Sequence, residues 1–247
     1  MEWCAEGILL SVSDLGESSS IIEVFTKDFG TYKGVVRGGK SKKIGPILQP
    51  GAQLNVTWRA RLENHLGVFN PDLIRSRFSL VLNQRDRLAG LNSICSLLSF
   101  CLPERDPHSK LYDRTINLLN VLIDGSDWPL FYLRWELRLL EDMGFGLDLT
   151  KCAVTNVKED LAYISPKSGC AISKNAAGVW VNKLLPLPEC LKVGGPTSMA
   201  DLSIGFEVTG YFLNKWIVPQ MNGKPLPVAR MRLTDALTRL FKHQNLN

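Results

Sequence analysis

Ser20-Ile21-Ile22-Glu23-Val24-Phe25-Thr26, then Gly30, then Thr31-Tyr32-Lys33-Gly34-Val35-Val36-Arg37 closed by Gly38-Gly39, is the stretch that decides the fold. Both runs are rich in β-branched and aromatic residues, and the glycines supply the turn conformations that end strands. Working outward, Gly7 to Ser13 reads as an earlier strand, and Ala52 to Ala60 and Leu66 to Phe69 as later ones, with Pro46, Pro50-Gly51 and Pro71 as punctuation. Five short strands ahead of Arg77 predict a small barrel over residues 1–78. Turn-rich five-stranded barrels include the OB-fold, whose concave face and loops bind single strands.

From Ser79 the period changes. Leu80, Leu82, Leu88, Leu91, Ile94, Leu97, Leu98 and Cys101 recur at threes and fours until Pro103, predicting one helix. A second helix carries Leu111, Ile116, Leu119, Leu122 and Ile123 up to Gly125, and a third begins at Asp127 as N-cap, with Pro129 in its first turn, ending near Gly144. Leu147 to Val154, Leu161 to Ile164 and Val179 to Val181 are short strand candidates, so 147–197 reads as a β-insertion. Helical spacing returns from Met199 to Trp216, Asn222-Gly223-Lys224-Pro225 forms a turn, and Val228 to Lys242 closes the chain. The expected organisation is α+β multidomain: 1–78 barrel, 79–146 helical, 147–197 inserted, 198–247 helical again.

The composition bounds the class. With 247 residues, 45% hydrophobic, and 29 Lys plus Arg against 24 Asp plus Glu, the chain is a folded and mildly basic protein. Apolar runs such as Ile8 to Leu10 and Leu184 to Leu187 are far too short to span a bilayer. Glu2 and Glu6 stand where a secretory signal carries Lys or Arg, so a cytoplasmic protein is expected. Cys4, Cys95, Cys101, Cys152, Cys170 and Cys190 are dispersed, without a C-x-x-C pair, which predicts reduced thiols and no metal. No G-x-x-x-x-G-K-[ST], H-E-x-x-H or G-x-S-x-G motif occurs, and His65, His108 and His243 each stand alone. An enzyme, and any cofactor, is not expected.

Charge placement carries the binding signal. Between Gly30 and Arg61 stand Lys33, Arg37, Lys40, Lys42, Lys43, Arg59 and Arg61, with no Asp or Glu. Such a window makes one side of the barrel positive and suits a chain of phosphates, with Tyr32 and Trp58 available for stacking or for the core. In the third helix, Trp128, Phe131, Trp135 and Leu139 share one stripe and Leu133, Leu137 and Leu140 another, leaving Arg134, Arg138 and Glu141 on the remaining face. That face could pair internally, through Arg138 and either Glu141 or Asp142, or receive the carboxylate and aromatic end of a partner peptide.

Two blocks carry a family resemblance. The first is Ser18-Ser19-Ser20-Ile21-Ile22-Glu23-Val24-Phe25-Thr26, Gly30, Val35-Val36-Arg37-Gly38-Gly39-Lys40-Ser41-Lys42 and Leu48-Gln49-Pro50; the second runs Arg134-Trp135-Glu136-Leu137-Arg138-Leu139-Leu140 through Met143-Gly144-Phe145-Gly146-Leu147-Asp148-Leu149 to Cys152. With the late Gly223-Lys224-Pro225-Leu226 turn, they resemble the RecO family of bacterial recombination mediators over nearly the whole chain. The resemblance implies an N-terminal OB-fold, a helical domain and a zinc-ribbon-like insertion. It also implies binding of single- and double-stranded DNA, strand annealing, and action with RecR to load RecA onto strands coated by single-strand-binding protein. The acidic tail of that protein would dock on the helical domain, at Phe131, Arg134, Trp135 and Arg138, with Arg134 in the family's R-[FW]-E-L stretch. A nucleoid-associated cytoplasmic location follows from the same resemblance. Zinc-binding members carry two C-x-x-C pairs, whereas Cys152 is followed here by Thr155 and Cys170 by Ser173, so no metal is expected. The alternative reading is a basic scaffold protein that binds acidic partner proteins.

Overall fold

The structure, a computed structural model, describes residues 1–62, 65–192 and 195–244, the side chains of 242–244 excepted. The chain divides into two compact units, 1–126 with 227–236 and 127–226 with 237–247.

In the first unit, β1 (Glu2–Leu15), β2 (Ser19–Thr26), β3 (Gly30–Val36), β4 (Gln53–Arg59) and β5 (Val68–Arg75) close in the order β1-β2-β3-β5-β4. β1 is long enough to serve two neighbours. Its first half pairs with β4, Glu2 opposite Arg59, and its second with β2, Leu15 opposite Ser19. A register shift between Leu9 and Ser11 bends the strand from one partner to the other. The last seam, parallel β3 to β5, is a single pair, Val35 with Val68. This connectivity fits an OB-fold. Alternate residues point inward, so Leu9, Ile22, Val24, Val36, Leu54, Val56, Trp58 and Phe69 are all buried in one core.

The strand expectations differ from the structure at two ends. β1 starts at Glu2 rather than Gly7, because Met1 and the following residues run alongside β4 up to Ala60. β5 passes through Pro71, expected to be punctuation. A proline lacks the N–H for one ladder, and beyond Val68 this strand has a ladder only on its β4 side.

The single helix expected from Ser79 is two: α1 (Phe78–Val81) and α2 (Arg85–Cys101). Gln84 between them is extended, at φ −115° and ψ 96°. Leu80 and Leu82, counted on the apolar stripe, are therefore half exposed. α2 packs on β1, and α3 (Ser109–Asp124) packs on α2 and β2, which groups these helices with the barrel rather than with the later helices. Lys27 Nζ reaches Asp113 of α3 at 2.8 Å, and Arg87 of α2 donates to the Leu122 carbonyl at 2.7 Å.

The second unit is built on α4 (Trp128–Asp142), where Pro129 occupies the first turn. Asp127 stands at the N-cap position, but its side chain makes no capping bond. A three-stranded sheet follows, β6 (Leu161–Ile164), β7 (Ala171–Ser173) and β8 (Leu185–Pro186) in the order β7-β6-β8, with the short α5 (Lys174–Ala177) after β7. Two expected strands are absent. Within Leu147 to Val154 only a bridge from Asp148 to Cys170 forms, and Val179 to Val181 lies in a 3-10 turn, Gly178–Lys183. Strand propensity scores fit to a pleated, half-buried surface, and these valines face solvent instead. α6 (Met199–Phe212), opened by Ser198 accepting from Asp201 N at 3.0 Å, packs on α4, and the short α7 (Val218–Gln220) follows it. At that contact Thr209 Oγ1 donates to Glu136 Oε2 at 2.6 Å, both side chains being fully buried. The last helix, α8 (Val228–Gln244), is shared between the units.

Candidate nucleic-acid and partner interfaces

The acid-free window from Gly30 to Arg61 is sorted by the structure into two kinds of cation. Lys33 on β3 lies opposite Glu23 of β2, and its ammonium sits 2.6 Å from Glu104 and 3.9 Å from Glu23. The Glu104 contact raises the Lys33 pKa against the opposing effect of burial, with Glu23 adding to the rise. Glu23 is itself buried, accepting from Ser11 Oγ at 3.1 Å and from Ser99 Oγ. Arg59 is paired with Glu2 at 2.7 Å, and Lys40 with Asp14 at 3.0 Å. Arg37, Lys42, Lys43 and Arg61 are exposed and make no ion pair among the described residues.

The β3–β4 connection that carries Arg37, Lys42 and Lys43 has a defined course. Ser41 N donates to Gly38 O at 2.9 Å and Gly45 N to Ser41 O at 2.8 Å, giving consecutive tight turns. Lys40 ties this loop to the β1–β2 turn, through its N–H to Ser18 O at 3.2 Å and its ammonium to Gly16 O at 3.0 Å. Arg37, Lys42 and Lys43 thus stand on a loop tied to the first interstrand loop of the barrel, one of the two loops that bind oligonucleotides in OB-folds. Tyr32 and Trp58 are not available for stacking. They are 8% and 1% exposed, with ring centroids 5.1 Å apart, and fill the core with Trp3 and Phe69.

On α4 the structure separates the four expected partner residues. Trp135 is only 4% exposed and packs against Tyr132, so it belongs to the unit's core. Phe131 is 40% exposed and does not line the cleft that the two arginines share. Arg134 and Arg138 do line a cleft, of about 510 Å³, together with Leu137, Leu147, Leu149, Leu191 and Lys192. Arg138 is bound to Glu141 at 2.7 Å and Lys192 to Glu189 at 2.6 Å, whereas Arg134 has no ion pair among the described residues. Sequence reasoning missed Leu147, Leu149, Leu191 and Lys192. They come from irregular segments after α4 and before α6, and no spacing links them to the helix.

Cys152 Sγ is fully buried and accepts from Ser173 N at 3.3 Å. Burial pushes the Cys152 thiol up, but side-chain and backbone hydrogen bonds with Ser173 and Thr155 outweigh it and bring the thiol down to about 6. Cys170 Sγ turns instead to Ser168 O at 3.7 Å, and burial, with Asp201 adding, pushes Cys190 up to about 11. Thr155 and Ser173 offer hydroxyls where zinc needs thiolate or imidazole, and among the described residues no three His, Cys, Asp or Glu converge. The donor set does not fit zinc. Purified protein is expected to hold substoichiometric zinc by elemental analysis, and chelators should leave its melting temperature unchanged. One zinc per chain, or a chelator-induced drop, would refute this.

His108 Nε2 lies 3.6 Å from Asp106, His65 accepts at its backbone carbonyl from Arg105 at 3.4 Å, and the His243 side chain lies outside the described residues. Among the described residues, no helix is long and apolar enough to cross a membrane.

Fold and surface together define an α+β protein of the oligonucleotide-binding barrel type, with a cationic loop on the barrel and a cation-lined cleft on a helical unit. Comparison with known proteins is specific. The model of the recombination protein O N-terminal domain matches residues 1–77, and that of its C-terminal domain matches residues 82–214. A DNA repair protein RecO of Cereibacter sphaeroides is 56% identical over 97% of this chain and 99% of its own length. Those of Roseobacter denitrificans and a Ruegeria species are 53% and 51% identical over the same shares. The chain belongs to the RecO family of DNA repair proteins.

Proposed function

We propose that the chain is a recombination mediator without turnover of its own: it binds single- and double-stranded DNA through the barrel, anneals complementary strands, and works with RecR to load RecA onto strands covered by single-strand-binding protein. The observation that carries this reading is the group of exposed cations on the barrel loops, Arg37, Lys42, Lys43 and Arg61, which form no ion pair among the described residues. Unpaired surface cations hold counterions that phosphates displace, and that release is the main source of sequence-independent affinity. A zinc-ribbon ancestry of the insertion fits the placement of Cys152, Thr155, Cys170 and Ser173, with hydroxyls in place of two thiols. Annealing of complementary oligonucleotides, with and without single-strand-binding protein, tests the reading. Acceleration in both conditions is expected, and its absence would sink it. Binding of an acidic protein of similar charge in preference to DNA would favour the scaffold reading instead.

The same proposal places the acidic, aromatic-ended tail of the single-strand-binding protein in the cleft on α4. Leu137, Leu147, Leu149 and Leu191 offer the apolar seat, and Arg134 offers a cation that no carboxylate of the chain occupies among the described residues. Phe131 and Trp135 leave the ring-binding role, since Trp135 is buried and Phe131 is not part of the cleft. A charge-assisted bond contributes roughly 1.5 to 3 kcal/mol, so Arg134→Ala is expected to weaken a tail peptide about ten- to a hundredfold. Oligonucleotide binding should stay unchanged. Calorimetry with the peptide and anisotropy with the oligonucleotide check the two halves, and undiminished peptide binding would remove Arg134 from the site.

A further inference from the structure

The turn Gly178–Lys183 contradicts the ordinary placing of apolar side chains. Val179, Trp180 and Val181 are 91%, 58% and 37% exposed, a contiguous apolar knob that contributes little to any core. Scattered apolar residues at a surface are normal, but a contiguous group that includes a tryptophan calls for a partner. The knob is also firmly mounted. Ser173 caps α5 by accepting from Ala176 N at 3.4 Å, Ala177 is buried, and Leu184 N returns to Val181 O at 3.1 Å before β8 joins the sheet.

The segment that carries it is cationic, between Asp160 and Glu189. From Leu161 to Pro188 the chain contains Lys167, Lys174 and Lys183 and no Asp or Glu. All three lysines are exposed, and none forms an ion pair among the described residues. Lys183 Nζ stands 4.9 Å from the Trp180 ring centroid, which fixes an ammonium against an exposed aromatic face. An exposed tryptophan with Lys183 against its ring, on a segment that carries Lys167 and Lys174 and no acid, matches an unpaired nucleobase with its phosphates: the base stacks on the ring and the ammonium groups take the backbone.

We infer that Trp180, with Lys183 and Lys174, is a second single-strand contact, a base-stacking platform on the inserted module. The inference rests on the DNA-binding reading of the barrel and extends it to a part of the chain that the first cation window does not cover. Stacking makes it selective for single strands, since a duplex keeps its bases in the helix.

The test uses the full chain and a fluorescein-labelled oligothymidylate, read by anisotropy over a salt series. Trp180→Leu should weaken binding about tenfold, within the range of one stacked base, while leaving the salt slope unchanged. Trp180→Phe keeps a π face and should restore most of the affinity. Lys183→Ala should lower the slope by about 0.7, the value of one phosphate contact on a single strand. Because Trp180 is exposed, none of these changes opens a cavity, and an unaltered melting temperature confirms that the fold is intact. Wild-type affinity in Trp180→Leu would overturn the platform, as would a Leu variant that keeps the oligonucleotide but loses an acidic polypeptide such as polyglutamate. Failure of the wild-type chain to bind oligothymidylate would overturn the barrel reading and this contact with it. Wild-type binding that Trp180→Leu leaves intact would overturn the contact alone.

Discussion

Gly30→Ala is expected to lower the unfolding free energy by about 3 kcal/mol or more, the sum of two separate effects. Gly30 has φ +73°, a left-handed conformation that costs an L-residue about 1 to 2 kcal/mol. An added Cβ would also stand 2.3 Å from the Asp106 carbonyl oxygen. That neighbour is backbone and cannot swing away. It belongs to the connection between α2 and α3, which is tied to β3 by Thr31 Oγ1 donating to Pro103 O at 2.9 Å and Arg105 N donating to Thr31 O at 2.9 Å. Relieving the clash therefore loosens those bonds, and overpacking of this kind adds roughly 1 to 3 kcal/mol. Gly16 provides the comparison, because it has φ +61° with nothing within 4 Å of its Cβ position. Urea unfolding of both alanine variants should show about 1 kcal/mol for Gly16→Ala and the larger loss for Gly30→Ala. Equal losses would show that backbone strain alone acts at Gly30.

The combined substitution of Arg37, Lys42 and Lys43 by Ala is expected to weaken a single-stranded oligonucleotide about a hundredfold near 0.1 M salt. Each phosphate contact contributes about 0.7 to the slope of log affinity against log salt, so three contacts contribute about 2. The same three changes should reduce the slope by that amount, and somewhat more for a duplex, where each contact contributes about 0.9. Lys33, Lys40 and Arg59 are expected to matter less, since each would have to exchange a carboxylate already within 3.0 Å for a phosphate. The substituted side chains are exposed, so the melting temperature should hold. A variant with unchanged slope would move the DNA surface off this loop.

Much of the barrel was legible because its signals are local. The β-branched and aromatic runs Ser20 to Thr26 and Thr31 to Arg37, with Gly30 between, specify two paired strands from neighbours in the chain, and β2 and β3 appear within a residue of the expected limits. The acid-free window was equally readable, since charge is a property of composition. What the window could not show is that Lys33, Lys40 and Arg59 find partners at Glu104, Asp14 and Glu2, residues far off in sequence for two of the three.

The helix α4 shows the same division at the second site. Its start near Asp127 and the pairing of Arg138 with Glu141 follow from helical spacing, because positions three apart share a face whatever surrounds the helix. Which stripe is buried does not follow from spacing. Trp135 is turned inward against Tyr132, which in turn packs on Phe206 of α6, and the cleft beside Arg134 is completed by Leu147, Leu149, Leu191 and Lys192 from irregular segments. Val179-Trp180-Val181 makes the point in reverse: an apolar, β-branched run reads as a strand, but the third strand of that sheet is Leu185–Pro186 and the run is left in solvent. By itself, then, the sequence determined β2 and β3, the start of α4 and the sign of the charge, which depend on neighbours in the chain. Only the tertiary structure decided which cations are free and which aromatics are exposed, because ion pairing and burial are set by residues that meet only when distant segments pack.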